Sequence, residues 1–91
     1  MNKADLTTAL ANDAEIPKVR AAHYINIVFG TIHDALVRGE KVTISDFGTF
    51  KVQHRSGFTG HNPKNGNKMS VSAVRIPGFR AGKGLKEALN G

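Results

Sequence analysis

The 91-residue chain contains no cysteine, which excludes disulfides and thiolate metal sites and suits a reducing compartment. No apolar run approaches the roughly 20 residues that a membrane-spanning helix needs. The opening stretch, MNKADLTTALAND, carries charges where the apolar centre of a secretion signal would stand. A soluble, intracellular protein with no membrane partner is therefore expected. Acidic residues are scarce in one half only. Residues 51–91 hold Glu87 alone against eight lysines and arginines, a net of +7, whereas residues 1–50 hold six acids against five bases, a net of −1. That asymmetry points to a polyanionic partner. Nucleic acid comes before membrane, because the basic half lacks a long amphipathic helix.

Catalytic signatures are missing as well. There is no HExxH pair and no nucleophile elbow. The GKG at 82–84 lacks the upstream glycine and the hydroxyl residue of a phosphate-binding loop. His23 and His33 lie ten residues apart on one helix, a spacing that suits a helix flank or an interface better than a metal. The expectation is a protein that is not an enzyme, with no cofactor, no metal and no small-molecule substrate. At 40% hydrophobic and 22% charged residues, the chain has the balance of one folded domain, taken as 1–91.

Within that domain, Asn2 can cap a first helix, with Asp5 three residues on as the acid of a capping box. Leu6, Ala9 and Leu10 repeat at helical spacing until Asn12 to Glu15 close the helix. Pro17 suits the first turn of a second helix. There Val19, Ala22, Ile25, Val28, Phe29, Ile32, Ala35 and Leu36 form a broad stripe, and Gly39 after Arg38 marks the stop. From Lys41 the period becomes two. Val42 and Ile44 alternate with polar residues, Asp46-Phe47-Gly48 makes a tight turn, and Phe50 and Val52 continue the pattern: a β-hairpin with one buried face. A third alternating stretch runs from Met69 to Ile76, with a change of phase at Ala73–Val74 that reads as a bulge or a change of face. Pro77-Gly78 is expected to end it. Gly82 precedes a short last helix carrying Leu85, Ala88 and Leu89. The parts are thus 1–39 helical, 40–81 sheet and 82–91 helix.

Length sets a further expectation. The second helix, from about residue 17 to 38, spans roughly 33 Å. The body without its polar excursion holds about 70 residues, with a radius of gyration near 11 Å. So small a body cannot cover so long and so broad an apolar stripe. A second copy of the chain is the natural cover, giving an intertwined homodimer.

The polar excursion itself, GHNPKNGNK at 60–68, has no core residue. Asn62-Pro63 and Asn65-Gly66 supply concentrated turn chemistry, and alternating stretches lie on both sides. This places two strands leaving the sheet and meeting at a tip around 62–66, an arm over about 53–74. Lys51, Arg55, Lys64, Lys68 and Arg75 would follow it from root to tip. A two-stranded ribbon matches a DNA groove in width and charge, and a tip proline can act as an apolar wedge. The bland alternative makes Pro63 a turn former and the lysines solubility charges.

FGTFKVQHR (47–55), TGHNPKNG (59–66), PGFRAGKGLKEAL (77–89) and the opening MNKADL together resemble the HU/integration host factor family of bacterial DNA-bending proteins, over the whole chain and nearest the HU type. The resemblance implies an α+β fold in which two chains interlock through a helical body, with an antiparallel β-sheet saddle and two protruding β-ribbon arms. Phe29, Phe47, Phe50 and Phe79 would form the dimer core. Pro63, in its Asn62-Pro63 turn, would insert between base pairs in the minor groove. Arg55 and Lys64 would hold arm phosphates, with His61 beside them. Lys51, Lys68 and Arg75 would support nearer the saddle, and Lys3, Arg80, Lys83 and Lys86 would hold flanking DNA. Each such contact positions the duplex without reading a base. The implied function is that of a nucleoid-associated, cytoplasmic, histone-like protein that binds, bends and compacts double-stranded DNA with little sequence preference. Nicked, kinked or junction DNA are its candidate preferred forms.

The chain departs from the family pattern at Phe58 and His61, where arginines are usual, at Gln53, often basic, and at Asp46, where a small residue or glycine is usual. Fewer permanent charges on the arm mean fewer counterions released on binding. Two rival readings remain: a dimeric binder of RNA or branched junctions, and a scaffold for an acidic protein.

Overall fold

Two helices are followed by a three-stranded sheet, interrupted in sequence before its last strand by a separate two-stranded ribbon, and then by a last helix. The computed structural model describes the backbone of residues 1–61 and 68–91, and the side chains of residues 1–57 and 72–91. The expected arm tip, with Asn62, Pro63 and Lys64, lies outside the described residues, as do the side chains of Phe58, His61 and Lys68.

Helix α1 covers Lys3–Ala14, and Asn2 and Asp5 form the expected capping box: each accepts a hydrogen bond from the other's backbone N–H at 2.9 Å. It ends where Glu15 turns left-handed, at φ 56°. Helix α2 covers Lys18–Val37 and begins one residue after Pro17, whose extended backbone precedes the first turn. Gly39, at φ 85°, reverses the chain. Its N–H reaches Leu36 O and that of Glu40 reaches Ala35 O, both at 2.9 Å, the paired bonds that glycine allows past a helix end.

The buried residues of the two helices are small. Ala11, Ala21 and Ala35 are the buried hydrophobic residues of the described chain, and Ala21 has no exposed surface. The apolar stripe expected on α2 is only partly covered: Val19 is 84% exposed, Val28 55% and Phe29 44%. Ala21, absent from that stripe, is the most buried of the three alanines.

Strands β1 (Val42–Ile44), β2 (Gly48–Arg55) and β5 (Val74–Ala81) form an antiparallel sheet in the order β1-β2-β5. Between β1 and β2, Asp46 is left-handed at φ 63° and Phe47 N–H returns to Ile44 O. β3 (Phe58–His61) and β4 (Lys68–Val71) pair antiparallel as a second, two-stranded sheet. Two expectations are corrected here. Pro77-Gly78 does not end the strand, which continues to Ala81. β5 is an edge strand, where a missing N–H costs little. Of the two readings of the phase change at Ala73–Val74, the bulge is not found between the two sheets. Arg55 pairs with Val74 and Phe58 with Val71, so the register resumes unchanged after two residues are skipped on each strand. Helix α3 (Lys83–Asn90) follows Gly82.

The chain has a radius of gyration of 19.6 Å and extends 63 Å along its longest axis. A globular chain of this length would have a radius near 12 Å. Among the described residues, no large side chain is fully buried.

Candidate nucleic-acid interface

Register decides which basic residues can act together. Because successive strand residues point to opposite faces, the pairs Thr49–Arg80, Lys51–Gly78, Gln53–Ile76 and Arg55–Val74 lie on one face of the sheet. Phe50–Phe79, Val52–Pro77 and His54–Arg75 lie on the other. The second face meets α2. There Val52, Arg75 and Pro77 line a shallow apolar cleft with His33, Leu36 and Val37. The first face therefore looks away from α2, and it carries Lys51, Arg55 and Arg80.

That outward face is closed at one end by α3. An open cleft of about 480 Å³ is lined by Thr49 and Arg80 of the sheet and by Lys83, Lys86 and Glu87 of the helix. Gly82, which precedes the helix, donates its N–H to Phe47 O at 2.8 Å and so ties the helix start to the β1–β2 turn. No side chain caps that start. The local dipole therefore adds to the positive field of the three cations. Lys83 has an exposed ion pair with Glu87 at 3.8 Å, a contact of small energetic weight. Among the described residues, Lys51, Arg55, Arg80 and Lys86 pair with no acid. On the same face Thr43 and Thr49 share a hydroxyl hydrogen bond at 3.3 Å, and the Gln53 amide lies over Gly78.

Five of the sequence-derived candidates (Lys51, Arg55, Arg80, Lys83 and Lys86) are thus brought to one continuous surface. Two are not. Lys3 lies at the start of α1, beside a groove shared with Met1, Leu6 and Phe29. Arg75 lies on the helix-facing side, and its Nη2 donates to Leu36 O at 3.1 Å and Val37 O at 2.6 Å. Its guanidinium completes the C-terminal end of α2, a role that period-two patterning could have suggested only through its phase. His61 and Lys68 occupy a backbone pair of the β3–β4 ribbon. Of the four aromatic core candidates, Phe79 packs against Phe50 with ring centroids 4.9 Å apart and against Phe47 at 5.7 Å, while Phe29 stands apart on α2. Among the described residues, no group of three metal-ligating side chains occurs, and no helix is long and apolar enough to cross a membrane.

A two-helix unit under an antiparallel sheet, with a basic outward face and a ribbon continuing from it, defines an α+β protein of the HU-like fold. The chain matches the family described as "Bacterial DNA-binding protein" over residues 1–90. It is 43% identical over 90 residues to DNA-binding protein HU-beta of Pseudomonas aeruginosa, covering 99% of this chain and all of that one. It is 40% identical over 89 residues to DNA-binding protein HU of Staphylococcus aureus, covering 98% and 99%. Among solved structures, an Anabaena HU–DNA cocrystal structure superposes with a TM-score of 0.81 at 38% identity, over 98% of this chain and 97% of that one. HU from Thermotoga maritima superposes with a TM-score of 0.69 at 30% identity, over 98% of each. The chain belongs to the bacterial DNA-binding protein family.

Proposed function

We propose that this chain is an HU-type architectural protein that acts as a homodimer. It binds double-stranded DNA with little sequence preference, bends it and helps to compact it in the bacterial nucleoid, in the cytoplasm. Its work is binding and bending rather than catalysis. The observation that carries the reading is the outward sheet face, where Lys51, Arg55 and Arg80 are brought together by register and continued by Lys83 and Lys86 of α3. These residues would hold phosphates across the saddle and its flank. The ribbon beyond Arg55 and Val74, with His61, Asn62, Pro63, Lys64 and Lys68, would follow the minor groove, with Pro63 as the wedge. Arg75 enters this reading as a support for the body, since its guanidinium is engaged by α2.

The homodimer rests on the absent core. Tyr24, Ile27, Val28, Phe29, Phe47 and Phe79 are each more than two-fifths exposed, far more apolar surface than a single soluble domain leaves open. With residues 1–91 as one domain, a second copy doubles the cationic face and spans more of the duplex.

A gel-shift series tests the reading. Duplex, nicked and four-way junction DNA are compared with double-stranded RNA and heparin as competitors, at several salt concentrations. The expected result is tight binding to DNA, strongest on nicked or kinked forms. Log affinity should fall by about 0.9 per phosphate contact for each unit of log salt. Preference for RNA, or capture by an acidic protein without DNA competition, would overturn it.

A further inference from the structure

Asp46 is an acid in a place built for cations. It sits in the β1–β2 turn at φ 63°, a conformation that side chains other than glycine, asparagine and aspartate rarely adopt. The turn is pressed against the first turn of α3: the Cβ and the carbonyl oxygen of Asp46 both stand 2.9 Å from the point that a Cβ on Gly84 would occupy. Glycine at 84 is thus required for the helix to approach, and the approach sets Asp46 against the first turn of α3, the turn that carries Lys83 and Lys86. Yet among the described residues Asp46 makes no ion pair with either. Its side chain is exposed, so its charge is spent on no structural contact.

We propose that Asp46 is an affinity-limiting residue, a resident anion that competes with DNA phosphate at the α3 end of the saddle. The inference rests on the function proposed above. The physical argument is electrostatic. Lys83 adjoins the glycine that Asp46 touches, so a phosphate held by Lys83 would lie within roughly a Debye length of the carboxylate, about 10 Å at 0.1 M salt. Two like charges about 8 Å apart in a water-like dielectric change a binding constant by about twofold. A dimer carries the residue twice, so the two copies together weaken binding by about fourfold at low salt. A weaker grip at the flanks lets bound DNA leave the saddle more readily while the arms stay engaged.

The test measures affinity for a long duplex, which reaches both α3 ends, and for a short one that does not. Asp46→Asn removes the charge and keeps a residue that tolerates the left-handed turn. Asp46→Gly removes both the charge and the conformational cost, and repeats the measurement in a second background. Both variants are expected to bind the long duplex about fourfold more tightly than the wild type at low salt. The gain should close as salt rises, and should be much smaller on the short duplex or in a Lys83→Gln background. Equal affinity of wild type and both variants for the long duplex at low salt would overturn the inference. So would a gain that is the same on the short duplex or without Lys83. If the wild-type chain binds no DNA, the function reading fails first and the inference falls with it.

Discussion

Replacing Phe79 with alanine separates a chain that folds alone from one that folds only with a partner. In the single chain Phe79 is 46% exposed, with its covered side against Phe50 and Phe47. Truncating a fully buried phenylalanine costs about 3–5 kcal/mol. The two ring pairs account for about 0.5–1.5 kcal/mol each of what is lost. If the single chain were the folded unit, only about half of the ring would be buried and the cost would be about 2 kcal/mol, scaling the burial term. If a second copy covers the exposed half, the full cost applies in each protomer, about 6–10 kcal/mol per dimer. At about 1.4 kcal/mol per decade, the equilibrium between folded dimer and unfolded chains shifts by about four to seven powers of ten. Urea unfolding at several protein concentrations, with sedimentation alongside, reads this directly. The wild-type midpoint should rise with concentration, because folding and association are one equilibrium, and Phe79→Ala should be unfolded at micromolar concentration. A wild-type chain that sediments as a folded monomer, with a concentration-independent midpoint and a loss of only about 2 kcal/mol in the variant, would refute the reasoning.

Further outcomes follow from single positions. Gly48→Ala should destabilise the fold by about 1–3 kcal/mol, measured by thermal unfolding, because its Cβ would stand 2.6 Å from Arg80 O and 2.5 Å from the Phe79 ring and backbone cannot yield. Arg75→Met should lower stability by about 1 kcal/mol through loss of its bonds to the α2 terminus, while leaving DNA affinity within about twofold after correction for folded fraction. A larger loss of affinity, with a reduced salt slope, would return Arg75 to the phosphate-binding set. Pro63→Ala should reduce bending of an intact duplex, read by end-to-end energy transfer, more than it weakens binding to a nicked one. Unstacking costs a few kcal/mol per step and is partly prepaid at a nick. Equal losses on both substrates would make Pro63 a turn former only.

Local elements were legible in the sequence because their signals are local. The capping box at Asn2 and Asp5, the stop at Gly39 and the alternation in β1 and β2 need only neighbours within a few residues, and they stand where the sequence puts them. The split of charge between the halves pointed to the partner class, since formal charge does not depend on fold. Proline misled at Pro77, because whether a strand is an edge strand depends on which other strands pair with it. The sequence pattern also suggested a bulge or a change of face at Ala73–Val74; the bulge is excluded, because the register continues across a two-residue gap on both strands.

What the sequence by itself determined was the list of cations. It could not sort them, because Arg75 and Arg80 fall in one strand, β5, only once that strand is seen to run past Pro77, and they differ in phase along it. Tertiary structure did the sorting. Packing the sheet on α2 turns the odd-numbered face of β5 inward, so Arg75 meets the α2 carbonyls while Arg80 joins Lys51 and Arg55 outside. The same packing sets Gly84 against Asp46, a contact between residues 38 positions apart that no local pattern encodes. Periodicity assigns a residue to one of two faces, but only the docking of one element on another decides which face meets the solvent.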